Sequence, residues 1–166
     1  MRYVGGLWRD VFAEVGAEYP AIAQDAMYVD AMAMDLVRRP ERYEVIVASN
    51  LFGDIISDLA AEVTGGLGLA PSANVHPGRN ALFEPVHGSA PDIAGQERAN
   101  PIGAIRCVGL LFDHFGQRAA AERVESAVMA SVGNRQTTPD LGGDLSTEQV
   151  GSWILGHLQT AYAGTS

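Results

Sequence analysis

Asp54 and Asp58 stand four residues apart in a chain of 166. In a helix beginning at Leu51 the two carboxylates project from one face, with Cβ atoms about 5–6 Å apart. Like charges so placed destabilise a helix unless something positive sits between them, although a place near the helix start lets the dipole offset part of the repulsion. Two solvated surface aspartates are one reading of this spacing. The flanking Leu51, Phe52, Ile55, Ile56 and Leu59 favour another, because they set the pair beside buried surface. There a hard divalent cation, Mg²⁺ or Mn²⁺, would satisfy both carboxylates and keep positions open for a substrate. Asp30 is a third candidate oxygen donor at a strand-to-helix junction, where position alone makes it a plain helix N-cap.

The elements that must position these residues follow from periodicity. Leu7, Trp8, Val11, Phe12 and Val15 recur at three- and four-residue spacing and predict a helix over residues 7–16, bracketed by Gly16 and Pro20. A strand is expected over 23–29, leading into a helix over 30–38 that Pro40 stops. Val45-Ile46-Val47-Ala48 is a short β-branched run of the kind buried in parallel sheets, and Asn50 is a suitable N-cap for a helix over 51–64. Strands separated by helices indicate an α/β architecture with mainly parallel pairing. Gly65-Gly66-Leu67-Gly68 breaks the pattern and reads as a turn, because it follows a helix and not a strand, so it is no dinucleotide fingerprint. Residues 69–100 are rich in Pro, Gly, Ala, Ser and Asn, which predicts extended segments and loops. Helices are expected over 102–114, 117–132 and 147–160, the first of them buried, since it is apolar around most of its circumference.

Composition removes several classes of function. All eleven basic residues are arginine, so the chain holds no amine side chain for a Schiff base, a phosphate-loop lysine or a lysine general base. Twenty acidic residues give a formal charge of −9, which argues against a protein that grips nucleic acid by neutralising phosphates. The single cysteine, Cys107, cannot form an intramolecular disulfide and reads as an inert core thiol in an intracellular, cytoplasmic protein. The longest apolar run, 102–112, is too short for a membrane span and is interrupted by Arg106, and the N-terminus lacks a signal-peptide core. His76, His114 and His157 read as surface or packing histidines.

Longer stretches carry a resemblance. Asn50-Leu51-Phe52-Gly53-Asp54-Ile55-Ile56-Ser57-Asp58-Leu59 and Gly65-Gly66-Leu67-Gly68-Leu69-Ala70-Pro71-Ser72-Ala73-Asn74 closely resemble the isopropylmalate/isocitrate/tartrate dehydrogenase family. So do Phe83-Glu84-Pro85-Val86-His87-Gly88-Ser89-Ala90-Pro91-Asp92-Ile93-Ala94-Gly95, Ala99-Asn100-Pro101-Ile102 and Thr138-Pro139-Asp140-Leu141-Gly142-Gly143. The resemblance implies NAD- and divalent-metal-dependent oxidation of a small 2-hydroxy acid such as 3-isopropylmalate or tartrate, usually with loss of a β-carboxylate. It makes Asp54 and Asp58 ligands of Mg²⁺ or Mn²⁺, and Asp30 the aspartate that reaches the metal from the other subunit of a dimer. A cation so held would bind the substrate's carboxylate and hydroxyl and lower the hydroxyl pKa. It further makes His87, Gly88, Ser89 and Ala90 part of the loop around the adenosine end of NAD. Asp92 becomes the acceptor for the ribose hydroxyls, where its charge would repel a 2′-phosphate, and Asn100 the adenine contact. Gln96-Glu97-Arg98 departs from the usual Lys-Gly-Ile-like stretch.

The resemblance also fixes an expectation of incompleteness. Members are about twice this length and fold as two domains, so the chain corresponds to a C-terminal half. Residues 1–64 match the second half of the central metal and dimerisation domain, and 65–166 the returning part of the nucleotide-binding domain. The family's general-base lysine lies a few residues upstream of Met1, with its tyrosine acid and substrate arginines further upstream. The chain is therefore expected to be inactive alone and to assemble as a homodimer or with a complementary N-terminal chain. A homologue turned to another reaction, or a non-catalytic nucleotide- or metal-binding module, are the alternatives.

Overall fold

The computed structural model describes residues 2–78 and 80–163, the side chains of 2 and 161–163 excepted. Six helices dominate: α1 (Arg2–Ala17), α2 (Val29–Arg38), α3 (Asn50–Val63), α4 (Ile102–His114), α5 (Arg118–Gly133) and α6 (Thr147–Ala163). The only sheet among the described residues is a two-stranded hairpin, β1 (Pro71–Val75) and β2 (Ala81–Pro85), antiparallel with Pro71 opposite Pro85 and Val75 opposite Ala81.

Two apolar clusters fall on either side of the glycine turn at Gly65 and Gly66, whose φ angles of 118° and 102° only glycine adopts readily. In the first, Met32 and Leu36 of α2 pack against Ile56 of α3, with Tyr43 and Leu59 at the edge. In the second, Ile102 of α4, Ala127 and Val128 of α5, and Val150 and Ile154 of α6 form the larger core. The hairpin lies against α4, and closeness there depends on Gly103, where a Cβ would stand 3.1 Å from the Gly68 carbonyl oxygen and 3.4 Å from Pro85 Cβ. Arg106 turns inward to tie three elements, donating to Glu125 on α5 at 3.0 and 3.1 Å and to the Leu69 carbonyl at 3.0 Å.

The helical periods are realised, but the expected strands are not. Residues 23–28 and 45–49 have no strand assignment, and Val45 is 88% exposed. A strand exists by bonding its backbone to a neighbour, and among the described residues none lies alongside these segments. For the same reason the pairing is antiparallel and not parallel: the one ladder links segments joined by a short turn, closed by the His76 N–H to the Asn80 carbonyl at 2.9 Å. The α1 stripe of Tyr3, Leu7, Trp8, Val11 and Val15 is exposed. On α4, Ile102, Gly103 and Cys107 are buried while Val108 and Leu111 are not, so the helix is covered on one side only.

Candidate functional site

Helix α3 carries the paired aspartates. It starts at Asn50, with Ser49 as the cap residue, so Asn50 is the first helical residue and not the cap. Its side chain is used differently: Asn50 Nδ2 donates to Asp54 Oδ2 at 3.2 Å. Asp54 consequently falls in the second turn and Asp58 in the third, beyond the first-turn reach of the helix dipole, which leaves their mutual repulsion largely uncompensated. Both are exposed on one helical face, and among the described residues neither has an ion-pair partner. This donor set of hard oxygens fits a divalent cation.

Asp30 is likewise exposed, but on another helix. It is the second residue of α2, capped in turn by Tyr28, and its Oδ1 accepts from the Ala31 N–H at 2.8 Å. The N-cap expectation is thus displaced by two residues, although the first-turn charge still suits the helix dipole. Among the described residues no three His, Cys, Asp or Glu side chains gather to hold a metal, so this chain does not bring Asp30 to the α3 pair.

The loop after β2 holds the other candidates. His87 is half-buried, Gly88, Ser89, Ala90 and Asp92 are exposed, and Pro91–Ile93 forms a single 3₁₀ turn. His87 Nδ1 lies 3.0 Å from the Gly88 carbonyl oxygen. Nε2 is buried without a partner among the described residues. Ala90 takes φ +40° and Glu97 φ +55°, left-handed conformations that cost a non-glycine residue free energy and cluster where function over-determines the backbone. Nothing lies within 4 Å of where a Cβ of Gly88 would be, so the backbone there faces open space.

A groove of about 480 Å³ connects the two parts: Ser57 of α3 lines it together with Ser72, Glu84, Pro85 and His87. The helix that carries Asp54 and Asp58 and the start of the His87 loop therefore face one space. Sequence reasoning does not single out Glu84, Ser57 or Ser72: Leu82 shares the exposed face of β2 with Glu84, so the strand carries no clean polar alternation to mark it.

Asn100 is buried, and its side chain is already committed. Its Oδ1 accepts from the N–H of Ile102, the first residue of α4, at 3.0 Å, and its Nδ2 donates to Asp140 Oδ2 at 2.9 Å. A second polar cluster, also unforeseen, lies at the end of α2: the buried Asp35 accepts from Arg39 and from the Tyr43 hydroxyl, with Arg42 Nη1 3.3 Å from its Oδ2. The Tyr43 hydroxyl first, and the Arg39 guanidinium second, hold this carboxyl below the usual range. The i, i+4 spacing of Asp35 and Arg39 was the available signal. His114 packs edge-on between Phe83 and Phe115, and His157 stacks on Trp153, as packing histidines do. No helix among the described residues is long and apolar enough to cross a membrane.

The chain is similar to several known proteins. A profile described as isocitrate/isopropylmalate dehydrogenase matches residues 1–154. The homoisocitrate dehydrogenase of Methanocaldococcus jannaschii is 47% identical over 164 residues, 99% of this chain and 47% of that protein. The 3-isopropylmalate dehydrogenase of Corynebacterium jeikeium is 48% identical over 157 residues, 93% of this chain and 45% of that one. Among solved structures, the isocitrate dehydrogenase from Methylococcus capsulatus superimposes with a TM-score of 0.87 at 43% identity, covering 93% of this chain and 46% of its own. The chain spans about half the length of the curated relatives it matches. With the fold, the motifs and this agreement together, the chain belongs to the isocitrate/isopropylmalate dehydrogenase family.

Proposed function

We propose that this chain carries the metal-binding carboxylates and the nucleotide loop for the oxidation of a small 2-hydroxy acid, 3-isopropylmalate-like or tartrate-like, with NAD and Mg²⁺ or Mn²⁺. The supporting observation is the shared groove: Ser57, one turn after Asp54, and His87, at the head of the loop, line the same space. A substrate between them would meet Ser57 of the aspartate-bearing helix on one side and Glu84 and His87 on the other. When bound, the cation supplies Lewis acidity toward the substrate hydroxyl. Asp54 and Asp58 would hold it from one helical face, and Asp30 of a second copy would complete the donor set, which fits its exposure and its separation from the α3 pair within one chain. Asp92 accepts from ribose hydroxyls and disfavours a 2′-phosphate. His87 Nε2, buried without a partner among the described residues, would find one in a polar group of the ligand.

Proton removal from the substrate hydroxyl needs a base, and the family resemblance assigns that role to a lysine. These 166 residues contain none, so they do not supply that group; the resemblance places the tyrosine acid and substrate arginines outside them as well. Residues 1–64 then act as the metal-side and dimerisation part, and 65–166 as the nucleotide part. The purified chain is expected to bind Mn²⁺ and NAD⁺ but to produce no NADH from 3-isopropylmalate, homoisocitrate or tartrate. Mixing it with the N-terminal half of a 3-isopropylmalate dehydrogenase should restore NADH production at 340 nm. Turnover by the chain alone near the ordinary ~10 s⁻¹ would refute the missing-base reading. Failure to bind either Mn²⁺ or NAD⁺, with no activity on mixing, would refute the whole proposal.

A further inference from the structure

Three separated motifs meet at one point. The carboxylate of Asp140 receives the Asn100 amide at 2.9 Å on Oδ2 and the Thr138 hydroxyl at 2.5 Å on Oδ1. The glycine turn closes on the same pair, since a Cβ on Gly68 would stand 2.9 Å from Asp140 Oδ2 and 3.0 Å from Asn100 Cβ. From the opposite side, Thr147 at the start of α6 donates its backbone N–H to the Glu97 carbonyl at 3.0 Å and its hydroxyl to the Ala99 carbonyl at 2.6 Å. The segment that follows the His87 loop is thus pinned from both sides by the C-terminal part of the chain.

An asparagine amide is nearly symmetric in shape, so its neighbours decide which end is oxygen. An ionised carboxylate only accepts, and therefore draws Nδ2. The Ile102 N–H only donates, and therefore draws Oδ1. Asp140 and the first turn of α4 together hold one orientation and exclude the other. Because each end of the Asn100 amide is bonded to a partner within the protein, the side chain is held in one place and its main chain is positioned with it.

We infer that Asp140 is a positioning residue for the adenine side of the nucleotide site, acting through the Asn100 amide to set the main chain of residues 98–101. This rests on the nucleotide reading above. Asp140 itself touches no ligand: it fixes the amide, the amide fixes the start of α4, and Thr147 fixes the residues before it. Gly68 belongs to the same device, because any side chain there would separate Asp140 from Asn100.

The test uses the whole chain and ADP-ribose as probe, with the Asn100 side-chain amide followed by ¹⁵N–¹H spectroscopy. Asp140→Asn, which can donate as well as accept, should shift the Asn100 amide signals and raise the ADP-ribose Kd about tenfold. The melting temperature should change little. Asp140→Glu keeps an acceptor-only group and should recover part of the affinity. Gly68→Ala, which leaves Asp140 intact, should shift the same amide signals and weaken ADP-ribose similarly. Unmoved amide signals in Asp140→Asn, or moved signals with ADP-ribose affinity unchanged, would overturn the inference while leaving the nucleotide site standing. Equal loss of affinity and melting temperature in Asp140→Asn and Asp140→Glu would reduce Asp140 to general stability and also overturn it. Wild-type chain that binds no ADP-ribose would overturn the nucleotide reading and this inference together.

Discussion

The Tyr43 hydroxyl donates to the carboxylate of Asp35, a side chain on α2 that is 8% exposed and eight residues earlier in the chain. With Arg39 and Arg42 on the same carboxylate, this bond turns the end of α2 back against the 3₁₀ turn Pro40–Arg42 and holds the aromatic ring on the Met32, Leu36 and Ile56 cluster.

That pairing makes stability depend on pH in two directions. The Asp35 carboxyl is held below its ordinary value, so its contribution is present above the unfolded pKa of about 3.9 and disappears as pH falls through the lower, folded one. The Tyr43 hydroxyl is pushed above its ordinary value, chiefly by the same bond, so its contribution is present below about pH 10 and disappears as pH rises through the folded value. Thermal unfolding followed from pH 2 to 11 should show both limbs. Tyr43→Phe should flatten the alkaline limb and shrink the acid one; an unchanged profile would show that the bond does not form in solution.

The larger core should respond as a close-packed interior. Ile102 is 0% exposed at the centre of the α4, α5 and α6 cluster, and Ile102→Ala is expected to cost about 3 kcal/mol in urea unfolding. Leu155, 56% exposed on α6, is the control, and Leu155→Ala should change stability by less than about 0.5 kcal/mol. Comparable losses at the two positions would mean that the exposed face of α6 is covered in solution.

Glu97 occupies φ +55° without the freedom of glycine. Replacing it by glycine removes the clash of Cβ with the carbonyl but enlarges the unfolded ensemble, and the first effect is the greater. Glu97→Gly should therefore stabilise the chain by up to ~1 kcal/mol, read as a higher denaturant midpoint with the same slope. A lower midpoint would show that the Glu97 side chain has contacts worth more than the strain.

The aspartate pair should reveal its cation through linkage. Without metal, Asp58→Asn relieves an i, i+4 repulsion and should stabilise α3 by roughly 0.3 kcal/mol. With Mn²⁺ the order reverses: the wild-type chain should melt higher as Mn²⁺ is added, while Asp54→Asn and Asp58→Asn should not respond. Chelation should return wild type to its starting value. A Mn²⁺ shift of equal size in all three proteins would place the binding elsewhere.

Most of the helices were legible before any coordinates, because a helix satisfies its own backbone and advertises its buried face every three or four residues. Helix α4 runs over the residues its period predicted; α2 starts one residue early, and α3 and α5 are each offset by one residue at both ends. The spacing of Asp54 and Asp58 is local in the same sense: once the segment is helical, the two carboxylates must share a face. The motif resemblance carried the family, since five separated stretches agreed with it. Strands are different, because a run such as Val45-Ile46-Val47 states a preference and not a partner; with no neighbouring backbone among the described residues it stays extended and unpaired. Only the folded chain could bring Asp140 to Asn100 across forty residues, turn that amide inward and set Ser57 and His87 on one groove. Local geometry repeats along a sequence and can be read from it, whereas a hydrogen bond between distant segments depends on how every element between them packs.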